Sequence, residues 1–201
     1  MKKHKWGDIN ISYEDDRFIT EVLEHRQYDF LHYYPIVIDI GANIGTFSFY
    51  MYNMADKIYA IEPVKENIDC LVQTITDSHL DKIIPCQMAI GGSSHARTMR
   101  QNGTPGGGGW MLDDAGEYVV DTRTLEDFMD VNKIEYADLV KIDVEGAEEE
   151  ILSTPLFPKD RIGTIIGELH HSTKADLSKL FRYMGFKFIS LPSSHFMARK
   201  I

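Results

Sequence analysis

The most informative segment of the chain is Val37-Ile38-Asp39-Ile40-Gly41-Ala42-Asn43-Ile44-Gly45, an apolar run followed by an acid and two glycines. The pattern predicts a strand, a tight turn and a helix. Gly41 permits the turn, and Gly45 permits close packing of the helix on the strand. A ligand can then lie against bare backbone where the helix begins. The segment therefore predicts a nucleoside-cofactor site in an α/β fold.

A second acid, Glu62, ends the next apolar strand, roughly 20 residues after Asp39, the offset at which a carboxylate takes up ribose hydroxyls in βαβ nucleotide sites. Asn43 stands where a dinucleotide fingerprint has a glycine, so a pyrophosphate would meet its side chain. An acid aimed at the turn repels phosphate and attracts an amino group. These features favour S-adenosylmethionine, which is cationic and lacks phosphate, over NAD and over a turn that binds no ligand.

Length and composition indicate one domain over residues 1–201, with enough apolar residues for a full core. The formal net charge of −10 opposes binding to nucleic acid. The basic cluster at residues 2–5 is interpreted as a frayed terminus. No apolar run reaches transmembrane length, so we expect a soluble, cytoplasmic protein without a membrane partner. Cys70 and Cys86 are expected to be buried thiols. Self-association stays open.

The order of elements predicts a doubly wound, mostly parallel sheet, because strand and helix patterns alternate from residue 36 to residue 90. An amphipathic helix over residues 14–31 is expected to form an N-terminal cap within residues 1–34. One strand is predicted over residues 83–90. Pro85 lacks a donor for the ladder, which assigns this strand to a sheet edge.

Residues 91–136 interrupt the alternation and are predicted to form an insertion between strands 3 and 4. Short antiparallel strands are expected at residues 96–100 and 118–120, and a helix at residues 125–131. The glycine-rich run at residues 103–109 is interpreted as a mobile loop that acts as a lid over the cleft. Regular order then resumes, with strands at 138–142 and 162–169, a helix at 174–184, and a closing hairpin from 186–191 and 196–199.

Several motifs occur together in the order known from one enzyme family: the glycine segment, Glu62-Pro63, residues 125–127 and the block Lys141-Ile142-Asp143-Val144-Glu145-Gly146-Ala147-Glu148. From about residue 30 to residue 190, the chain resembles the FkbM-type S-adenosylmethionine-dependent methyltransferases.

The resemblance implies a class I methyltransferase fold, a Rossmann-like seven-stranded sheet of order 3-2-1-4-5-7-6 with helices on both faces. It implies methyl transfer to a hydroxyl oxygen, with S-adenosylhomocysteine as the product. The expected cofactor contacts follow the matching motifs; they are Asp39, Gly41, Ala42, Asn43, Gly45, Glu62, Pro63 and Asp143. The adenine contacts stay open, because Met88-Ala89-Ile90 offers only apolar groups where many methyltransferases carry an acid.

Chemistry is expected at the carboxyl ends of the strands, where open α/β sheets bind their ligands. The candidate catalytic residues are Asp143, Glu145, Glu168 and His170, with His171 beside them. His170 is the candidate general base, since imidazole titrates near pH ~6.5, and Asp143 or Glu145 would orient it or the acceptor. In a metal-assisted alternative, Mg²⁺ held by Asp143 and Glu168 lowers the pKa of an acceptor hydroxyl.

The predicted function is therefore methylation of a hydroxyl on a small molecule or sugar. Two alternatives stay open at this point. One is a catalytically silent module that binds S-adenosylmethionine, and the other is an NAD-dependent oxidoreductase, which Asn43 disfavours.

Overall fold

The computed structural model describes residues 1–13, 19, 22, 28–102, 109–113, 115–170 and 173–201. Its strands are β1 Lys2–Trp6, β2 Ile9–Tyr13, β3 Ile36–Ile40, β4 Lys57–Ile61, β5 Ile83–Cys86, β6 Ala89–Ile90, β7 His95–Asn102, β8 Gly109–Leu112, β9 Tyr118–Arg123, β10 Ala137–Ile142, β11 Ile162–Glu168, β12 Phe186–Ser190 and β13 His195–Lys200. Its α-helices are α1 Thr46–Met51, α2 Lys65–Ser78, α3 Leu125–Val131, α4 Glu148–Ser153 and α5 Lys174–Tyr183. None of these helices is long and apolar enough to cross a bilayer.

The main sheet has seven strands in the order β12-β13-β11-β10-β3-β4-β5. Within this sheet, the neighbouring strands β11, β10, β3, β4 and β5 pair in parallel. Strand β13 runs antiparallel to both β11 and β12. Pro85 lies on the edge strand β5, as predicted. All the parallel strands end at the same edge, and this brings the chain segments after β3, β4, β10 and β11 together.

Each face of the main sheet has its own apolar core. Val37 and Ile58 face the first core, where α1, α2 and the β1–β2 hairpin contribute side chains. Ile38 and Ile40 face the second core, which contains side chains from α3, α4 and α5. Successive strand residues point to opposite faces, so a continuous apolar run is expected for a sheet covered on both sides.

The insertion after β5 forms a second sheet of four strands, in the order β6-β9-β7-β8, which we call the small sheet. The predicted antiparallel strands near 96–100 and 118–120 are confirmed as β7 and β9. The single strand predicted over 83–90 is wrong: the chain turns after Cys86, and Ala89–Ile90 pairs with β9. Residues 103–108 lie outside the described residues, so the lid interpretation of the glycine run is untested there.

The N-terminal segment also differs from expectation. Residues 2–13 form an antiparallel hairpin instead of a frayed terminus. Ile9 and Ile11 are buried against α2, and the Ser12 amide donates to Thr74 Oγ1 at 2.8 Å. This short alternation of apolar residues is a strand signal that the neighbouring basic residues obscure. The predicted helix at 14–31 falls mostly outside the described residues, and residues 28–30 form a turn.

Candidate active site

A cavity of about 360 Å³ lies at the carboxyl ends of β3, β4, β10 and β11. Most of the predicted site residues line it, namely Gly41, Ala42, Asn43, Glu62, Pro63, Asp143, Glu145 and Glu168. Asp39, Gly45 and His170 do not line the cavity but contact residues close to it. His171 lies outside the described residues.

The glycine loop after β3 requires residues without side chains at two positions. Gly41 has φ +76°, and a Cβ there would lie 1.9 Å from the Asp143 carbonyl oxygen. Gly45 has φ +95°, and a Cβ there would lie 2.4 Å from Leu71 Cδ1 on α2. Asn43 also has positive φ, at 52°, and its Oδ1 accepts from the Ile44 amide at 2.7 Å. The two glycines therefore let the loop pack closely against the segment after β10 and against α2.

Glu62 fixes this loop from the end of β4. Its Oε2 accepts from the Asn43 amide at 2.9 Å, and its Oε1 accepts from the Val64 amide at 3.0 Å and from Asn67 Nδ2 at 3.2 Å. Burial raises the pKa of Glu62, and these hydrogen bonds oppose the rise. A carboxylate offers about four lone-pair sites, so Glu62 keeps acceptor capacity for a ligand.

Lys141 is a site residue that the sequence interpretation missed. It lies opposite Asp39 in the parallel register of β3 and β10, and its Nζ is 3.3 Å from Asp39 Oδ1. The same ammonium donates to the Gly41 carbonyl at 3.1 Å and lies 3.3 Å from Asp143 Oδ2. Burial disfavours the charge, but Asp39 and Asp143 outweigh it and raise the pKa of Lys141.

This geometry changes the role expected for Asp39. The side chain is fully buried, and its Oδ2 accepts from Ser48 Oγ at 2.7 Å. Its counter-charge is Lys141, beneath the glycine loop. A direct contact between Asp39 and a ligand stays a prediction, while the contacts in the structure tie β3, the loop and β10 into one unit.

Glu148 is a second residue whose role was missed. This buried side chain opens α4, and its Oε1 accepts from the Val144 amide at 3.1 Å and from the Gly146 amide at 3.2 Å. It also lies 2.9 Å from His170 Nδ1. The hydrogen bond with Glu148 and the nearby acids raise the pKa of His170 to about 9, although burial acts against them. His170 therefore holds its proton at neutral pH, which conflicts with its predicted role as general base.

The remaining acids surround the other ring nitrogen of His170. Its Nε2 lies 3.6 Å from Glu145 Oε2 and 4.0 Å from Asp143 Oδ1. Glu168 accepts a hydrogen bond from Ser194 Oγ and lies 3.7 Å from His195 Nε2. Among the described residues, Asp143, Glu168 and His170 each offer a ligand atom within 4.8 Å of the other two, a spacing compatible with a shared metal ion.

Glu145 is held in an unusual backbone position, with φ +57°, before Gly146 at φ +117°. The small sheet covers it, because a Cβ on Gly109 of β8 would lie 2.9 Å from Glu145 Cδ. Burial is the main cause of the raised pKa of Glu145, although the His170 charge lowers it in part.

The small sheet also provides an apolar wall of the cavity; the sequence interpretation placed the insertion over the cleft but did not name the residues of β7 and β8 that form this wall. Met99, Trp110 and Leu112 line the cavity from β7 and β8, beside Met88 and Ile90. The sheet is anchored to the main body: Arg97 Nη1 lies 2.8 Å from Glu150 Oε1 on α4, and the Lys65 amide donates to the Tyr118 hydroxyl at 3.1 Å. The described part of the insertion therefore forms a wall of the cavity that is attached to the main body by these contacts.

Solved methyltransferases share this architecture. The FkbM methyltransferase of Methylobacillus flagellatus KT matches with a TM-score of 0.56 and 16% identity, over 86% of this chain and 45% of that one. M. capricolum TrmK, solved with S-adenosylhomocysteine, matches with a TM-score of 0.55 and 15% identity, over 89% of this chain and 68% of that one. The chain thus spans less than half of the first protein. The fold is the Rossmann-like α/β fold of class I methyltransferases.

The sequence carries the assignment further. Residues 39–188 match the model of the methyltransferase FkbM domain, and the chain belongs to this family. A relative of known activity, the hexuronic acid methyltransferase AglP of Haloferax volcanii, is 24% identical over 176 residues, covering 87% of this chain and 70% of AglP.

Proposed function

We propose that the protein is an S-adenosylmethionine-dependent methyltransferase that methylates a hydroxyl oxygen of a sugar or another small molecule. The observation that carries the proposal is the cavity at the strand ends, which combines the bare glycine loop, Glu62 and several carboxylates. The family match supports the methyltransferase class. The AglP relative supports a sugar as the acceptor, and we propose no nucleic-acid or membrane partner.

The residues present fit this cofactor. The glycine loop would hold the methionine part against backbone, and Glu62 would accept from one ribose hydroxyl with its remaining lone pair. The apolar wall with Trp110 and Met88 suits a purine ring. When bound, the cofactor supplies an electrophilic methyl group on a sulfonium. NAD fits less well, because its pyrophosphate would face the carboxylates of the cavity.

Glu145 is the group that we propose as the proton acceptor for the methylated hydroxyl. His170 is the poorer candidate, because Glu148 holds its proton in place. Glu145 lines the cavity, and burial raises its pKa, which makes its carboxylate a stronger base. In this arrangement His170 orients Glu145 and Asp143 through its Nε2. Holding the acceptor close to the methyl group lowers much of the remaining barrier.

A specific observation favours a second mechanism, in which a metal ion assists the reaction. Asp143, Glu168 and His170 are spaced to share one ion, and the hydrogen bond from His170 Nδ1 to Glu148 is typical of metal-bound histidine. A divalent ion such as Mg²⁺ would lower the pKa of an acceptor hydroxyl there. Dialysis against a chelator distinguishes the mechanisms, since lost turnover that Mg²⁺ restores supports the metal and undiminished turnover rejects it.

Calorimetry with S-adenosylhomocysteine tests the cofactor site directly. Glu62→Ala should weaken binding by at least about tenfold, because a hydrogen-bonded charged group is worth about 1.5–3 kcal/mol. Glu66→Ala, an exposed acid of α2 one turn away, is the matched control and should bind normally. Stabilisation by NAD but not by S-adenosylhomocysteine would reject the proposal.

Turnover separates an enzyme from a silent binding module. The protein, labelled S-adenosylmethionine and a panel of neutral and acidic sugars should yield a labelled sugar in at least one reaction. Binding without transfer to any sugar or polyol would favour the silent module.

A further inference from the structure

Building on the proposed function, we infer that the Tyr28 hydroxyl binds the carboxylate of the methionine part of S-adenosylmethionine. Tyr28 lies in the turn before β3 and was not among the predicted site residues. Its side chain lines the cavity, although only 6% of the residue is exposed. The inference follows from the hydrogen-bond donors of the cavity and from the partners that these donors already have.

The glycine loop, which would hold the methionine part, already uses its backbone donors. The amides of Gly41 and Ala42 both donate to the Ile61 carbonyl, at 3.0 and 2.9 Å. The amides of residues 43 and 44 donate to side-chain oxygens at 2.9 and 2.7 Å, and the Gly45 amide donates to the Ala42 carbonyl at 2.8 Å. A buried carboxylate needs hydrogen-bond donors. None of these five amides is left to supply one.

The cation beneath this loop is occupied as well. An ammonium carries three protons, and Lys141 Nζ lies 3.1 Å from the Gly41 carbonyl oxygen. The same atom lies 3.3 Å from an oxygen of Asp39 and 3.3 Å from an oxygen of Asp143. Lys141 can therefore attract a carboxylate through its charge, but its protons already have acceptors.

Tyr28 supplies a donor beside the loop. Its ring packs edge-to-face on Phe47 of α1, the helix that follows the loop, with 4.8 Å between the ring centres. No described residue forms a hydrogen bond with the Tyr28 hydroxyl. A phenol that reaches a cavity without a protein partner can donate to a ligand.

The charges around Tyr28 suit this role. Burial raises the pKa of Tyr28, and among the surrounding charges Lys141 has the largest effect and lowers it. Asp143, Asp39 and Glu168 raise the same pKa further. The phenol therefore keeps its proton at neutral pH and lies where the charge of Lys141 favours an anion.

Isothermal titration calorimetry on the intact chain tests the inference with S-adenosylmethionine and decarboxylated S-adenosylmethionine, two ligands that differ only in the carboxylate. Tyr28→Phe keeps the ring on Phe47 and removes the hydroxyl alone. It should weaken binding of S-adenosylmethionine by about tenfold, because one hydrogen bond to a charged group is lost. Binding of the decarboxylated ligand should change by less than about twofold. The melting temperature without ligand should stay within about 2 °C of the wild-type value, because the hydroxyl has no described partner to lose.

Tyr34→Phe is the matched control. Tyr34 is 5% exposed and belongs to the same apolar core, and its hydroxyl has no hydrogen-bond partner among the described residues, but it does not line the cavity. Its substitution should change neither affinity. Unchanged binding of S-adenosylmethionine by Tyr28→Phe would overturn the inference, as would equal weakening of both ligands. Failure of the wild-type protein to bind either ligand would instead overturn the proposed function.

Discussion

Replacing Lys141 with methionine is the sharpest test of how this site is built. Methionine keeps an unbranched side chain at this position and removes only the ammonium, which lies 5.8 Å from the centre of the Phe47 ring. It removes the only described cation within 4 Å of Asp39. Because Asp39 is fully buried, its carboxylate would then lie in the protein interior with Ser48 as its remaining partner.

The expected cost follows from the physics of buried charge pairs. Removing one partner of such a pair destabilises proteins by about 3–5 kcal/mol, because the other charge stays buried without compensation. For a chain of this size, each kcal/mol lowers the melting temperature by about 2–4 °C. We therefore expect Lys141→Met to melt about 10 °C below the wild-type protein.

Urea unfolding of a double-mutant cycle measures the pairing itself. Asp39→Asn keeps a polar group beside Ser48, and the double variant Asp39→Asn/Lys141→Met removes both charges. The double variant should recover about 2 kcal/mol relative to the sum of the single effects, because neither charge is left unpaired. Lys187→Met, on the exposed surface of the edge strand β12, should change the stability by less than about 0.5 kcal/mol.

Two results would refute this reasoning. Additive effects of the two substitutions would show that Asp39 and Lys141 contribute independently. A loss of less than about 1 kcal/mol in Lys141→Met, similar to an ordinary surface substitution, would show that Asp39 tolerates burial without its counter-charge.

Three further predictions concern the same cavity. In metal-free buffer, the stability that His170 contributes should be complete below about pH 6.5 and lost as the pH rises toward about 9, because folding raises its pKa; His170→Gln should flatten this part of the urea-stability profile. Gly41→Ala should abolish S-adenosylhomocysteine binding in calorimetry, since its Cβ would meet the Asp143 carbonyl at 1.9 Å, whereas Gly7→Ala, at similar φ with open space around it, should bind normally. S-adenosylhomocysteine should alter the tryptophan fluorescence of the wild-type protein but not of Trp110→Phe, because Trp110 lines the cavity.

The main sheet could be predicted because its signals are local. Apolar runs that end in Asp39 and Glu62, with a glycine turn between them, indicate parallel strands without knowledge of distant residues. The position of Pro85 at a sheet edge follows from a missing hydrogen-bond donor, and the structure confirms it.

The small sheet could be predicted only in part, because its pairing is not local. Strands β7 and β9 carry recognisable patterns. Strand β6 has only two residues and pairs with β9, which follows it in the sequence only after β7 and β8. A strand of this length has no periodicity of its own, so tertiary contacts decide which sheet it joins. The closeness of Gly109 to Glu145 could not be predicted for the same reason, because it too depends on tertiary contacts.

Four of the predicted site acids, Glu62, Asp143, Glu145 and Glu168, line the cavity, while Asp39 lies behind it, and the sequence interpretation missed the groups that hold them. Lys141 carried an available signal, because a lysine within a buried parallel strand needs a counter-charge, and the neighbouring strand offers Asp39. Glu148 carried no such signal, because an acid at the start of a helix is ordinary. Its contact with His170 depends on how the loop after β10 folds back.

The block from Lys141 to Glu148 therefore acts as one unit whose side chains point in different directions. Lys141 points beneath the glycine loop to Asp39, Asp143 faces the cavity, and Glu148 turns back to hold the loop amides and His170. Lys141 and Asp143 are two residues apart and share one side of the chain, with their charged groups 3.3 Å apart, whereas the positive φ of Glu145 reverses the chain and turns Glu148 another way. A substitution at either end of the block thus reaches the cavity through the backbone, so the fold and the chemistry of this site depend on the same residues.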